Sequence, residues 1–297
     1  MIEKFTKGND FLESFLKNKE YIYVTTVTHE FSEMTYNWFL SLKNIKQEHL
    51  ALVIALDEKC YNQMLEYNIP VVFLDAKIKS NANQHEWIEN EKSYKTIGVH
   101  YIIKKYKINT IFSDVDIVFL KNPIEKLKSE FTNCDLLVMS DKRFDPFLTD
   151  RKQNYLKVIN FDKTQILNFG KTVQSKHGIK NAGFCYIDIN ESNFKKLDNT
   201  YKVFYKDSKY FENFEKGTEA GGLQTLSNKR YDECGLNVKM LNCFEFVNGS
   251  IWNISYLKEK IKNSCYIVHY NYCDAPTPEL LKNIKINWMK ENNHWYL

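Results

Sequence analysis

The sequence predicts an α/β fold, a mostly parallel sheet with helices on both faces. Strand-like and helix-like segments alternate through residues 21–120, the order expected of parallel strands joined by crossover helices. The strand-like runs are almost continuously apolar, as strands covered on both faces must be. Polar residues then gather where those strands end, the usual place for ligands in such sheets. With 43% hydrophobic and 15% aromatic residues among 297, the chain can bury a large core. Its 10 glycines and 5 prolines form no linker-like segment, which predicts one continuous domain over residues 1–297 with two lobes.

Tyr21–Val27 reads as the first strand, followed by a helix from Glu30 to Asn44 with Trp38, Phe39, Leu42 and Ile45 at helical spacing. Ala51–Leu56 is a fully apolar second strand, Lys59–Tyr67 a short helix and Pro70–Asp75 a third strand. Glu86–Lys107 reads as a long amphipathic helix carrying Tyr94, Ile97, Tyr101 and Ile102 on one side. Beyond it, Thr110–Pro123 is a β-branched and aromatic run interrupted by Asp114 and Asp116. A helix over Ile124–Phe131 and a strand over Asp135–Met139 follow, then irregular chain with short helices from Asp150 to Lys180. Asn181–Ile189 returns to strand character, and Phe194–Phe214 reads as an aromatic helix. Val238–Leu241 and Tyr266–Val268 are late strands, the second leading into His269.

Asp114 and Asp116 carry the chemistry. In extended chain, residues two apart point to one side, so the carboxylates can converge. Unpaired, they would repel and lose hydration, so a cation is the natural neutraliser, and oxygen ligands favour Mg²⁺ or Mn²⁺. The alternative is a strand-to-loop corner whose acids face water. His269, at the end of a late strand, reads either as a structural hydrogen-bonding group or as a third ligand. Thr25, Thr26, Asp57 and Asp75 also stand at expected strand ends, where each is equally a helix cap or strand terminator. Gly183 marks either a β-bulge or a close approach of backbone to ligand.

Other classes are excluded. No glycine-rich dinucleotide or P-loop motif occurs. The net charge of +4 is spread among acids, which argues against nucleic acid as a partner. Seven scattered cysteines without a C-x-x-C, no apolar signal core and no bilayer-length run predict a cytoplasmic chain without a membrane span.

Four pieces, spread over residues 20–297, resemble the GT-A-fold nucleotide-diphospho-sugar transferases, in particular the retaining glycosyltransferase family 77. They are Asn37-Trp38-Phe39-Leu40, the acid pair with Phe119-Leu120 and Pro123, Asn181-Ala182-Gly183-Phe184, and His269-Tyr270-Asn271. Lys95 resembles a lysine of that family. One departure is that Leu223, not an acid, precedes Gln224, with Glu219 several residues upstream.

The resemblance implies a Rossmann-type sheet with a C-terminal acceptor lobe. Residues 20–140 would form the nucleotide-sugar half, and 141–297 the acceptor half with the late metal-ligand element. It implies a UDP-sugar donor, Mn²⁺ or Mg²⁺ and a hydroxyl acceptor on a glycan, protein or small molecule. Asp116 and His269 would ligate the ion, and Asp114 would touch the ribose or reach the ion through water. Lys95 would meet the phosphates, and Thr25, Thr26 and Asp57 the nucleoside. Gln224 and Asp188 are candidates to support the sugar in the transition state. Two rivals remain: a haloacid-dehalogenase-like phosphatase using Asp114 as nucleophile and Asp116 as acid, and a domain that binds nucleotide sugars or glycans without transfer.

Overall fold

The structure is a computed structural model that describes residues 4–75, 97–142, 156–172, 180–199, 202, 234–271 and 277–297. A seven-stranded sheet has the order β3-β2-β1-β4-β7-β6-β8. Its strands are β1 (Tyr21–Val27), β2 (Ala51–Ala55), β3 (Val71–Phe73), β4 (Asn109–Ser113), β6 (Leu136–Ser140), β7 (Lys180–Ile187) and β8 (Val238–Met240). β5 (Ile117–Phe119), β10 (Ile267–His269) and β9 (Phe246–Asn248) form a second, three-stranded sheet in that order.

β1 lies parallel between β2 and β4, and β3 extends the parallel set beyond β2. β7 is the antiparallel member, paired with β4 on one side and β6 on the other. Along β1, Ile22 and Val24 join one core, while Tyr23 and Val27 join the other, which the small sheet shares. Burial on both faces explains why these strands read as unbroken apolar runs. Each large side chain removed from water there contributes roughly 1.5–3 kcal/mol.

The helix Ser32–Asn44 lays Met34, Trp38 and Leu42 into the core shared by both sheets. Asp57 starts the helix Glu58–Glu66 by accepting from the Cys60 amide, and Cys60 and Met64 face inward. Residues 97–106 are helical and bury Ile97, Tyr101 and Ile102. The start of the expected 86–107 helix, the end of the 194–214 helix, Lys95 and Gln224 all lie outside the described residues.

Within the stretch expected to be irregular with short helices, Lys163–Thr172 is such a helix. The helix Pro278–Glu291 was not anticipated, although Thr277 accepts from the Leu280 amide and Pro278 follows, a standard opening pair. Among the described residues, no helix is long and apolar enough to cross a membrane.

Thr110–Pro123 differs most from its sequence reading. The chain leaves β4 at Ser113, turns over 114–116, and enters the second sheet as β5. The Ile117 amide donates to the Asp114 carbonyl at 3.2 Å to close the turn. Two acids in mid-run favour this break, because neither sheet interior would accept them unpaired.

Candidate metal centre and donor site

A turn, rather than strand alternation, presents the two acids. Asp114 follows β4, and Asp116 precedes β5, whose Ile117 pairs with His269 on β10. His269 Nε2 stands 3.1 Å from Asp116 Oδ1 and 3.8 Å from Asp114 Oδ2. One ligand atom from each residue falls within 4.8 Å of the others. Ligand atoms about 2.1 Å from one ion at right angles would lie about 3 Å apart, so this spacing suits a shared divalent ion. Asp116 and His269 are buried, with side chains 7% and 4% exposed, whereas Asp114 is 31% exposed.

Among the described residues, a fourth charged group joins the cluster. Lys285, from the helix Pro278–Glu291, donates to Asp116 Oδ2 at 2.6 Å. Burial alone would raise the Asp116 carboxyl. The Lys285 ammonium and the His269 ring outweigh that and hold it well below the usual carboxylate range. Nothing in the local sequence marks Lys285. Its helix was legible from Thr277 and Pro278, but the contact with Asp116 is purely tertiary.

The corner is braced from several sides. Trp38 Nε1 donates to Ser113 Oγ at 2.8 Å, just before Asp114. The Asp114 amide donates to the Gly183 carbonyl at 2.7 Å, and the Tyr270 amide to the Asp116 carbonyl at 2.9 Å. Gly183 lies at an irregularity of the ladder and against two of the candidate ligand side chains. The β6–β7 register shifts across it, and a Cβ there would meet His269 Cε1 at 2.4 Å and Asp114 Oδ2 at 2.7 Å. Asn181 accepts from the Gly183 amide at 2.8 Å and donates to the buried Asp141 at 2.9 Å. Asn271 accepts from the Gly249 amide at 2.9 Å, fixing the chain just after His269.

The other expected site residues divide. Val24 pairs with Phe112, so Thr25 and Thr26 continue level with Ser113 and Asp114 at the same sheet edge. Alternation sends their side chains to opposite faces, and both hydroxyls are buried without a hydrogen-bond partner among the described residues. Asp57 is committed to backbone, accepting from Cys60 through Oδ1 and from His29 through Oδ2, each at 2.8 Å.

Asp188 requires a correction. β7 runs antiparallel to β4 with Phe184 opposite Ser113 and Ile187 opposite Thr110, so Asp188 stands at the far end of the sheet from Asp114. There it accepts from the Tyr186 hydroxyl at 3.2 Å. Its strand runs the other way, so the end of β7 is not a ligand edge.

The profile of one family, described as nucleotide-diphospho-sugar transferase, matches residues 47–278. The chain belongs to that family. No curated protein sequence matches this transferase. Solved structures share its fold at low identity. The galactosyltransferase LgtC, solved with donor and acceptor sugar analogues, is 9% identical at a TM-score of 0.50, over 93% of this chain and 96% of that one. The bifunctional glycosyltransferase WbbM is 14% identical at 0.50, over 94% of this chain and 52% of that one. Mouse xyloside xylosyltransferase 1 is 12% identical at 0.49, over 87% of this chain and 99% of that one. The transferase therefore has the GT-A architecture, a mixed α/β fold around a mostly parallel sheet.

The donor set fits a hard divalent ion. Two carboxylates and one imidazole offer two oxygens and one nitrogen on a single cluster. The close approach at Gly183 leaves room for nothing larger than hydrogen between that strand and the ligand atoms.

Proposed function

We propose that this transferase is a metal-dependent glycosyltransferase moving a sugar from a UDP-linked donor to a hydroxyl acceptor with retention, as in glycosyltransferase family 77. The observation that carries it is the cluster of Asp114, Asp116 and His269, assembled from one turn and a strand some 150 residues later in sequence. Asp116 and His269 would hold Mn²⁺ or Mg²⁺, with Asp114 at the exposed mouth toward the ribose. When bound, such an ion supplies positive charge against the diphosphate whose negative charge grows as the glycosidic bond breaks.

The chain's own residues do the positioning. Thr25 and Thr26 stand at the nucleoside end, and Asp57 acts there indirectly, by pinning His29 and the start of the following helix. Lys95 is assigned to the phosphates and Gln224 to the sugar. The leaving phosphate accepts the acceptor's proton, so no separate base is required. Residues 20–140 form the donor half and 141–297 the half that receives a glycan, protein or small-molecule hydroxyl. A cytoplasmic setting belongs to the proposal, supported by seven scattered cysteines without a C-x-x-C spacing.

Family membership and the His269 contact stand against the phosphatase alternative. Incubation with a panel of nucleotide sugars and Mn²⁺, with and without chelator, tests the proposal. Metal-dependent UDP release is the expected result. Hydrolysis of a phosphomonoester, or binding without turnover, would overturn it.

A further inference from the structure

Lys285 is more than a neighbour of the cluster. Its ammonium is 2.6 Å from Asp116 Oδ2, and the other oxygen of that carboxylate is 3.1 Å from His269 Nε2. Both partners are shielded, the Lys285 side chain being 14% exposed and that of Asp116 7%. Among the described residues, and leaving the imidazole aside, two carboxylates and one ammonium give the cluster a formal charge of −1. A divalent ion there would sit beside a cation already paired with its own ligand, with little water between to screen them. A diphosphate brings negative charge that offsets both cations together.

We propose that Lys285 is a built-in counter-ion that couples the two halves of donor binding. Without nucleotide it neutralises Asp116 and opposes the divalent ion. With a diphosphate present, ion and nucleotide bind together and each strengthens the other. Linkage requires the coupling to be reciprocal, so it can be read from the metal alone. This inference rests on the metal-dependent reading above. A merely structural ion pair predicts the reverse, because its loss would loosen the corner and weaken metal binding.

The test is titration of free Mn²⁺, followed by its paramagnetic resonance signal, with and without UDP, in the wild-type protein, Lys285→Gln and Lys285→Arg. In the wild type, UDP should tighten Mn²⁺ binding by about 10-fold or more. Lys285→Gln should bind Mn²⁺ alone about 10-fold more tightly, with the UDP-linked gain reduced to about 3-fold or less. Lys285→Arg, which keeps the charge, should behave like the wild type. A folded Lys285→Gln protein, judged by its melting curve, that binds Mn²⁺ no tighter than the wild type overturns the inference. So does the absence of a UDP-linked gain in the wild type, whatever the variants do. If Asp116→Asn abolishes Mn²⁺ binding while Lys285→Gln changes nothing, only the role of Lys285 falls. Wild-type Mn²⁺ binding that is undetectable, or unaffected by Asp116→Asn, removes the metal reading and this inference with it.

Discussion

At the ends of β1 and β2, polar residues come from neighbouring stretches of chain and serve mostly local needs. Asp57 caps the helix that follows it and holds the His29 amide, while Thr25 and Thr26 sit within the strand itself. At the acid corner, Asp114 and Asp116 meet His269 and Lys285, and Trp38 and Gly183 brace them from two further elements. The first region is what strand ends require in any sheet of this kind. The second gathers buried charge from across the sequence at an electrostatic cost that folding does not demand, since buried ion pairs are often replaceable by apolar groups without loss. Charge concentrated against that gradient is what singles out the acid corner as the candidate site.

The most direct way to break the comparison is Asp116→Asn. It keeps the shape but removes the charge that holds Lys285 and would hold the ion. Turnover of the donor should fall by about 100- to 1000-fold, measured as UDP release at saturating Mn²⁺. Near-normal turnover would reduce the corner to the same structural standing as the strand ends. Gly183→Ala comes next. The added methyl meets the His269 ring and the Asp114 carboxylate, so the ligand atoms must move apart. A displacement of about 1 Å at reacting groups costs on the order of 100-fold, so activity should fall about that far. Thermal stability should drop by only about 1–3 kcal/mol.

These two variants also show how legible the site was. Asp114, Asp116, Gly183 and His269 were all visible in the sequence, because acids and a glycine inside apolar runs are locally anomalous. How they meet was not. The expectation of one extended strand put both acids on one face, whereas a turn between two sheets brings them together. The direction of β7 was equally hidden, because apolar alternation reads the same forwards and backwards, and that misplaced Asp188. Lys285 gave no local signal at all, being one lysine on an amphipathic helix. The parallel strands β1, β2 and β3 were read nearly to their ends, because burial on both faces writes itself into composition.

Support behind the corner is open to a pH test. Tyr270, whose amide holds the Asp116 carbonyl, shares a 2.6 Å hydrogen bond with His294 Nδ1. Burial, with a smaller push from Lys258, lowers His294 from 6.5 to about 4, and burial lowers His100 to about 4. Both rings are neutral in the fold and bind protons more readily once unfolded. Stability is therefore complete above about pH 6.5 and declines as pH falls toward 4, by about 1–3 kcal/mol for each ring. Urea midpoints of the metal-free protein at several values between pH 4 and 7.5 should show that slope. His294→Gln should make it shallower without removing the part due to His100. A flat profile would mean that burial does not hold the two rings neutral in the fold.

The smallest effect belongs to the strand ends, and it sharpens the contrast from the other side. Asp57→Ala removes the side chain that caps the helix Glu58–Glu66 and holds His29, so stability should fall by about 1 kcal/mol. Asp57→Asn keeps an acceptor for the Cys60 amide and should recover most of that loss. If Asp57 acts on the nucleoside only by holding this loop, KM for the donor should follow stability. The Ala variant should raise it a few-fold, and the Asn variant should lie near the wild type. A large rise in KM with Asp57→Asn at unchanged stability would instead place the carboxylate charge itself against the donor. The strand ends would then belong to the working site as fully as the acid corner does.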